Sequence, residues 1–157
     1  MTGWSSYIRD EILRSAHVTG ASLEIVDEAE AAALREELCA RYCEDRRLGF
    51  GRNNLKDYAA VYDSESFLWA AEFLGDSAGY MLYDSSHPKD RYVFRVPDGP
   101  ALHAVLEECF GFQFYVADQE LSFVLCSTDD DCLMGCGRAR PWVESCRVRR
   151  ARTPSAP

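Results

Sequence analysis

No apolar run in this chain approaches the roughly 20 residues that a membrane-spanning helix needs. Nor does the start read as a secretory leader, because residues 1–13 carry Arg9, Asp10 and Glu11 where an apolar stretch belongs. The expectation is a cytoplasmic protein whose seven cysteines, an odd number, stay reduced. Positive charge is also scarce. Seventeen Lys and Arg face 26 Asp and Glu, for a net charge of −9, and only two of the seventeen are Lys. That balance argues against nucleic-acid binding by the body of the protein, since phosphate affinity comes from Lys and Arg. There are three histidines, His17, His87 and His103. They lie far apart in the chain, so no Ser-His-Asp or Cys-His order can be read from them.

A length of 157 residues with 47% hydrophobic and 27% charged composition suits one globular domain with a sizeable core. The expected domain covers residues 1–148, followed by a disordered basic tail at 149–157. Trp4, Ile8 and Ile12 recur at a spacing of four, a helical face that stops before Gly20. Leu23 and Ile25 alternate with polar residues, as in a short strand or an entry segment to the next helix. Asp27 and Glu30 have the spacing of a capping box. Behind them Ala31, Leu34, Leu38 and Tyr42 predict a helix over residues 28–46. Phe67, Ala71 and Leu74 line the next helix, with Asp63 or Ser64 before it as cap. The period then changes to two. Residues 79–84 and 91–96 read as paired antiparallel strands. Asp98-Gly99-Pro100 starts a helix that carries Leu102, Val105 and Leu106 and closes at Gly111. Residues 112–117, 121–127 and 132–136 then read as a three-strand meander, with Leu121, Phe123 and Leu125 on one face. Arg140-Pro141-Trp142 opens a last helix. The sum is an α+β fold: a mostly antiparallel sheet of about five strands, with N-terminal helices and one inserted helix packed on it.

The candidate chemistry is thin. Cys126, Cys132, Cys136 and Cys146 do not keep the paired spacing of a structural zinc site, and Cys132 and Cys136 would stand roughly 13 Å apart on a strand. They read as small buried hydrophobes. Asp129, Asp130 and Asp131 form the densest acidic cluster, but a calcium loop would need alternating ligands, a glycine and a distal glutamate. Gly135-x-Gly137 followed by Arg138 could seat an anion at a strand-to-helix turn, yet a dinucleotide fingerprint would need a third glycine at Arg140. No cofactor is implied.

The residues from Phe114 to Asp118 and from Leu121 to Cys126, with Asp131-Cys132-Leu133-Met134-Gly135-Cys136-Gly137 and Trp142-Val143, resemble small bacterial proteins, some of which look like immunity proteins of polymorphic toxin systems. The turn in those proteins reads Asn-His-His-Asp; here only Asp131 corresponds, so no histidine role transfers. The resemblance implies a non-catalytic interaction protein, immunity-like or regulatory. The charge distribution points the same way. Residues 138–157 carry six Arg and one Glu, a local +5 that leaves −14 on residues 1–137. Such a body suits a basic protein partner, anchored by an aromatic such as Phe50, Tyr62 or Trp142. The alternative is a small-ligand or enzymatic site formed by the Asp129–Asp131 turn, the glycines at 135 and 137, and Arg138.

Overall fold

The computed structural model describes residues 7–152, with side chains to Val148. The helical role expected of Trp4 and the disorder expected of residues 153–157 lie outside the described residues. Helix α1 (Ile8–Thr19) buries Ile12 and Ala16 and stops at Gly20, whose φ of 75° is left-handed. A two-residue strand β1 (Glu24–Ile25) leads to helix α2 (Glu28–Tyr42). Asp27 caps α2 by accepting from the Glu30 N–H at 2.9 Å. The Glu30 carboxylate does not return to close a capping box, because Arg95 holds it at 2.7 Å.

Helix α2 ends four residues before the expected boundary. The cause is Asn54, a buried side chain that accepts from the Asp45 N–H at 3.0 Å and donates to the carbonyls of Asp45 and Gly49. That network draws the chain out of the helix, and Cys43 instead bridges Leu55.

Strand β2 (Ala59–Tyr62), helix α3 (Ser66–Leu74), strands β3 (Gly79–Tyr83) and β4 (Phe94–Val96), and helix α4 (Gly99–Glu108) follow. Asp98 accepts from the Ala101 N–H, and Pro100 sits in the first turn of α4 as expected. Helix α4 ends at Glu108 rather than running on to Gly111. Strands β5 (Phe114–Asp118), β6 (Phe123–Ser127) and β7 (Cys132–Gly137) form the meander, and helix α5 (Ala139–Arg152) ends the described chain. Helix α5 therefore takes in residues 149–152, which the sequence assigns to the tail.

Among the described residues the sheet has seven strands, not about five, in the order β1-β4-β3-β5-β6-β7-β2, and every pairing is antiparallel. The extra strands are the two edges. Helices α1, α3, α4 and α5 cover one face through Met81, Val116, Phe123, Leu125 and Leu133. Helix α2 covers the other, through Leu38 against Leu82, Tyr115, Val124 and Met134, with Phe50 and Leu55 from the segment that follows it. Both faces of the central strands are dry, so their residues alternate between two cores rather than between core and water. Leu121 departs from the expected face. Its φ of 56° turns it out of strand register, and it packs on the α2 side while Phe123 and Leu125 pack on the other. At the β2 edge the Arg147 guanidinium donates to the Ala60 carbonyl at 2.8 Å, which occupies an edge acceptor.

Candidate functional site

The β6–β7 hairpin turn places Asp129, Asp130 and Asp131 at one end of the sheet. Thr128 builds the turn. Its N–H donates to the Cys132 carbonyl at 2.9 Å, and its hydroxyl bonds the Asp130 carboxylate. Asp131 closes the hairpin with a φ of 65°, a conformation that Asp tolerates better than most residues. Its carbonyl accepts from the Asp63 N–H at 2.9 Å, which fixes the start of α3 beside the turn. Asp63, Glu65 and Asp84 lie at this same end, with Arg52 as the basic residue among them. Arg52 reaches Asp130 at 3.8 Å. The Thr128 hydroxyl, with help from Arg52, holds the Asp130 carboxyl below the usual range. Among the described residues this end of the sheet is thus mainly acidic, with Arg52 set among its carboxylates.

Between this turn and the α4–β5 connection lies a cleft of about 380 Å³. Phe67, Leu106, Phe112 and Phe114 line it, together with Ser64 and the exposed Asp129 and Asp131. Phe110 also lines it and is 58% exposed. The three phenylalanines of the connection meet edge to face, Phe110 to Phe112 at 6.2 Å and Phe112 to Phe114 at 5.9 Å. Glu11 fixes the connection by accepting from the Phe110 N–H at 3.1 Å. Aromatic walls beneath carboxylates suit a basic side chain, whose stem the rings bury and whose charge the acids meet.

The cleft offers little to covalent chemistry. Burial pushes the Cys109 thiol up to about 11, so it is not a thiolate at neutral pH. Cys126, behind the turn, is pushed up further by the same cause. No histidine lines the cleft. His103 faces Glu107 on α4 at 3.1 Å, and the His87 ring packs 5.2 Å from Tyr7. Among the described residues no group of His, Cys, Asp and Glu is arranged to hold a metal ion, and Cys146 lies across the sheet from Cys126, Cys132 and Cys136.

The glycine turn is a separate place. Gly135 and Gly137 lie toward the far end of β7, and six strand residues put Gly137 about 20 Å from the aspartate turn. The two halves of the alternative ligand site are therefore not one site. Each glycine has a packing reason. A Cβ on Gly135 would stand 2.6 Å from Val143, where α5 crosses the sheet, and one on Gly137 would stand 2.5 Å from the Ser122 carbonyl. Arg138 is occupied as well. Its guanidinium lies over the rings of Phe73 and Phe123 at 5.0 and 4.9 Å and bonds the Ser122 hydroxyl at 3.2 Å.

The proposed anchors divide likewise. Phe50 is half-buried, its ring 4.6 Å from Tyr115, and Trp142 is half-buried against Phe73 at 4.7 Å. Both are packing residues. Tyr62 is 57% exposed at the acidic end, beside Cys132 in the neighbouring strand. Phe110 and Phe67 are the residues the sequence reading missed. A legible signal existed in Phe110-Gly111-Phe112, two aromatics around a glycine just past a helix end.

No family model matches the chain, and no curated protein matches it in sequence. Among the described residues no helix is long and apolar enough to cross a membrane.

Proposed function

We propose that this protein is a non-catalytic interaction domain, immunity-like or regulatory, that binds a basic protein partner at the acidic end of its sheet. The observation that carries the reading is a Phe-lined cleft that Asp129, Asp131 and an exposed Phe110 also line. A lysine or arginine of the partner enters the cleft, and Phe110 and Tyr62 supply the apolar contact that hot spots require. The surrounding carboxylates raise the encounter rate, but a Debye length of about 8 Å at physiological salt limits them to the last approach.

The test is affinity capture from the native cell, followed by kinetics on the purified partner. A basic protein is expected, with an on-rate that falls about tenfold from low to physiological salt. Asp129→Asn should lower the on-rate, and Phe110→Ala should raise the off-rate. A partner that is acidic, that binds at a salt-indifferent rate, or that binds the Phe110→Ala protein as tightly as the parent would defeat the reading.

A further inference from the structure

A second cleft, of about 860 Å³, opens between the first turns of α2 and the segment that joins β3 to β4. Its character is opposite to that of the acidic end. Arg35, Lys89 and Arg91 line it, with Val26, Ala31 and Tyr92 as apolar wall. Arg35 sits four residues after Ala31 on α2, on the side that faces the sheet, so its guanidinium is carried inward. Its Nε–H is buried and has no hydrogen-bond partner. An Nη2–H reaches the Tyr83 carbonyl at 3.4 Å, a long bond. Among the described residues no carboxylate pairs with Arg35, and neither Lys89 nor Arg91 makes a hydrogen bond or ion pair. The Asp84 carboxylate acts on Arg35, but its Oδ2 is already taken by Gln113 and the Tyr115 hydroxyl. Burial, with the like charge of Arg91 added, lowers the Arg35 pKa from its ordinary value.

A buried donor without a partner costs about 1–3 kcal/mol, more when the group is charged. Folded proteins leave few such groups, and each asks for an occupant. Here the missing partner is an acceptor with negative charge. Arginine presents a planar fork of donors that matches a carboxylate or phosphate. We propose that this cleft binds a small anion, a carboxylate or phosphate carried on an apolar body, with Arg35 as the buried fork and Lys89 and Arg91 closing over it from the β3–β4 segment. The cleft's size and its Val26, Ala31 and Tyr92 wall fit the organic part. Asp27 and Glu28 also border the cleft. The Asp27 carboxylate already caps α2, and both acids would repel the anion, so the charged group belongs at the Arg35 end. This site is independent of the acidic cleft, and neither proposal needs the other.

The experiment is thermal unfolding of the full chain titrated with inorganic phosphate and with phenylphosphate, against sodium chloride at matched ionic strength. Both phosphates should raise Tm in a saturable way. Phenylphosphate should act at a concentration lower by about tenfold or more, because the ring buries apolar area that inorganic phosphate lacks. Arg35→Met should abolish both responses, and its ligand-free Tm should equal or exceed that of the parent, since an uncompensated charge leaves the interior. Lys89→Ala/Arg91→Ala, made on exposed positions that the fold does not need, should weaken both responses about tenfold. The proposal is overturned if neither phosphate exceeds chloride, or if the variants respond as the parent does. Equal potency of the two phosphates would remove the apolar body from it.

Discussion

Asp90 should be among the costliest single residues to remove, and the reason lies in α1. Tyr7, at the N-cap of that helix, offers no side-chain cap. The cap comes instead from 82 residues downstream: Asp90 Oδ2 accepts from the Ile8 N–H at 2.6 Å. Its Oδ1 accepts from the Tyr83 hydroxyl at 2.5 Å and from the Arg9 N–H at 3.4 Å. Asp90 is fully buried, yet it lies in the loop between β3 and β4. Asp90→Ala therefore removes a carboxylate from a helix N-terminus and leaves the buried Tyr83 O–H without an acceptor, its oxygen still accepting from the Tyr92 N–H at 3.4 Å. A hydrogen bond to a charged group contributes about 1.5–3 kcal/mol, and an orphaned buried hydroxyl costs about 1–3 kcal/mol. With overlap between these, the loss should be about 3–5 kcal/mol, out of a total stability of about 5–15 kcal/mol for a domain of this kind. Asp90→Asn retains one acceptor and should recover about half of it. Tyr83→Phe made in the Asp90→Ala background removes the stranded hydroxyl and should return about 1–2 kcal/mol. Urea unfolding followed by tryptophan fluorescence measures all five proteins, the Tyr83→Phe single variant included. The reasoning fails if Asp90→Ala stays within about 1 kcal/mol of the parent, or if Tyr83→Phe costs the same in both backgrounds.

Two further outcomes can be checked with little material. The seven thiols should be free and slow to react with a disulfide reagent at pH 8, since burial pushes Cys109 up to about 11 and Cys43 and Cys136 up to about 12, and all seven should react in guanidinium; bound zinc or a two-proton loss in the native mass spectrum contradicts this. Arg14 binds the Glu11 carboxylate at 2.8 Å and holds its pKa below the usual carboxylate range, so this contribution is present above the unfolded-state pKa and is lost as pH falls through the folded one. Glu11→Gln should then lose about 1 kcal/mol or less at neutral pH and nothing in strong acid, and a deficit that persists at low pH refutes the ion pair as its cause.

Elements bounded by local chemistry were legible. Asp27 and Asp98 cap where the sequence places caps, and Gly20 ends α1 because its left-handed backbone asks for glycine. Elements set by distant partners were not. Strand β2 is Ala-Ala-Val-Tyr, too short and alanine-rich to declare itself, and it becomes a strand because β7 offers an edge. The end of α2 depends on Asn54, twelve residues beyond Tyr42, and the face of Leu121 depends on one backbone torsion. Spacing along the chain also made the Asp129–Asp131 turn and the Gly135–Gly137 loop look like neighbours, when an extended strand lies between them.

The same contrast explains why the acidic end and the cationic cleft were read so differently. The aspartate triplet is contiguous, so the sequence announced it, although Asp131 is occupied in closing a hairpin and in positioning α3. Arg35 is a single residue in an apolar stripe, at i+4 from Ala31 and i−3 from Leu38. Helical periodicity places it inward, where an arginine needs a partner. A charge at a core position breaks the local pattern, and such breaks gather where a protein does something other than fold. Asp90 breaks it too, and its three donors account for it. Arg35 has one long bond to a carbonyl and a buried N–H with none. The difference between a buried charge that is satisfied and one that is not separates a structural residue from a candidate binding residue in this fold.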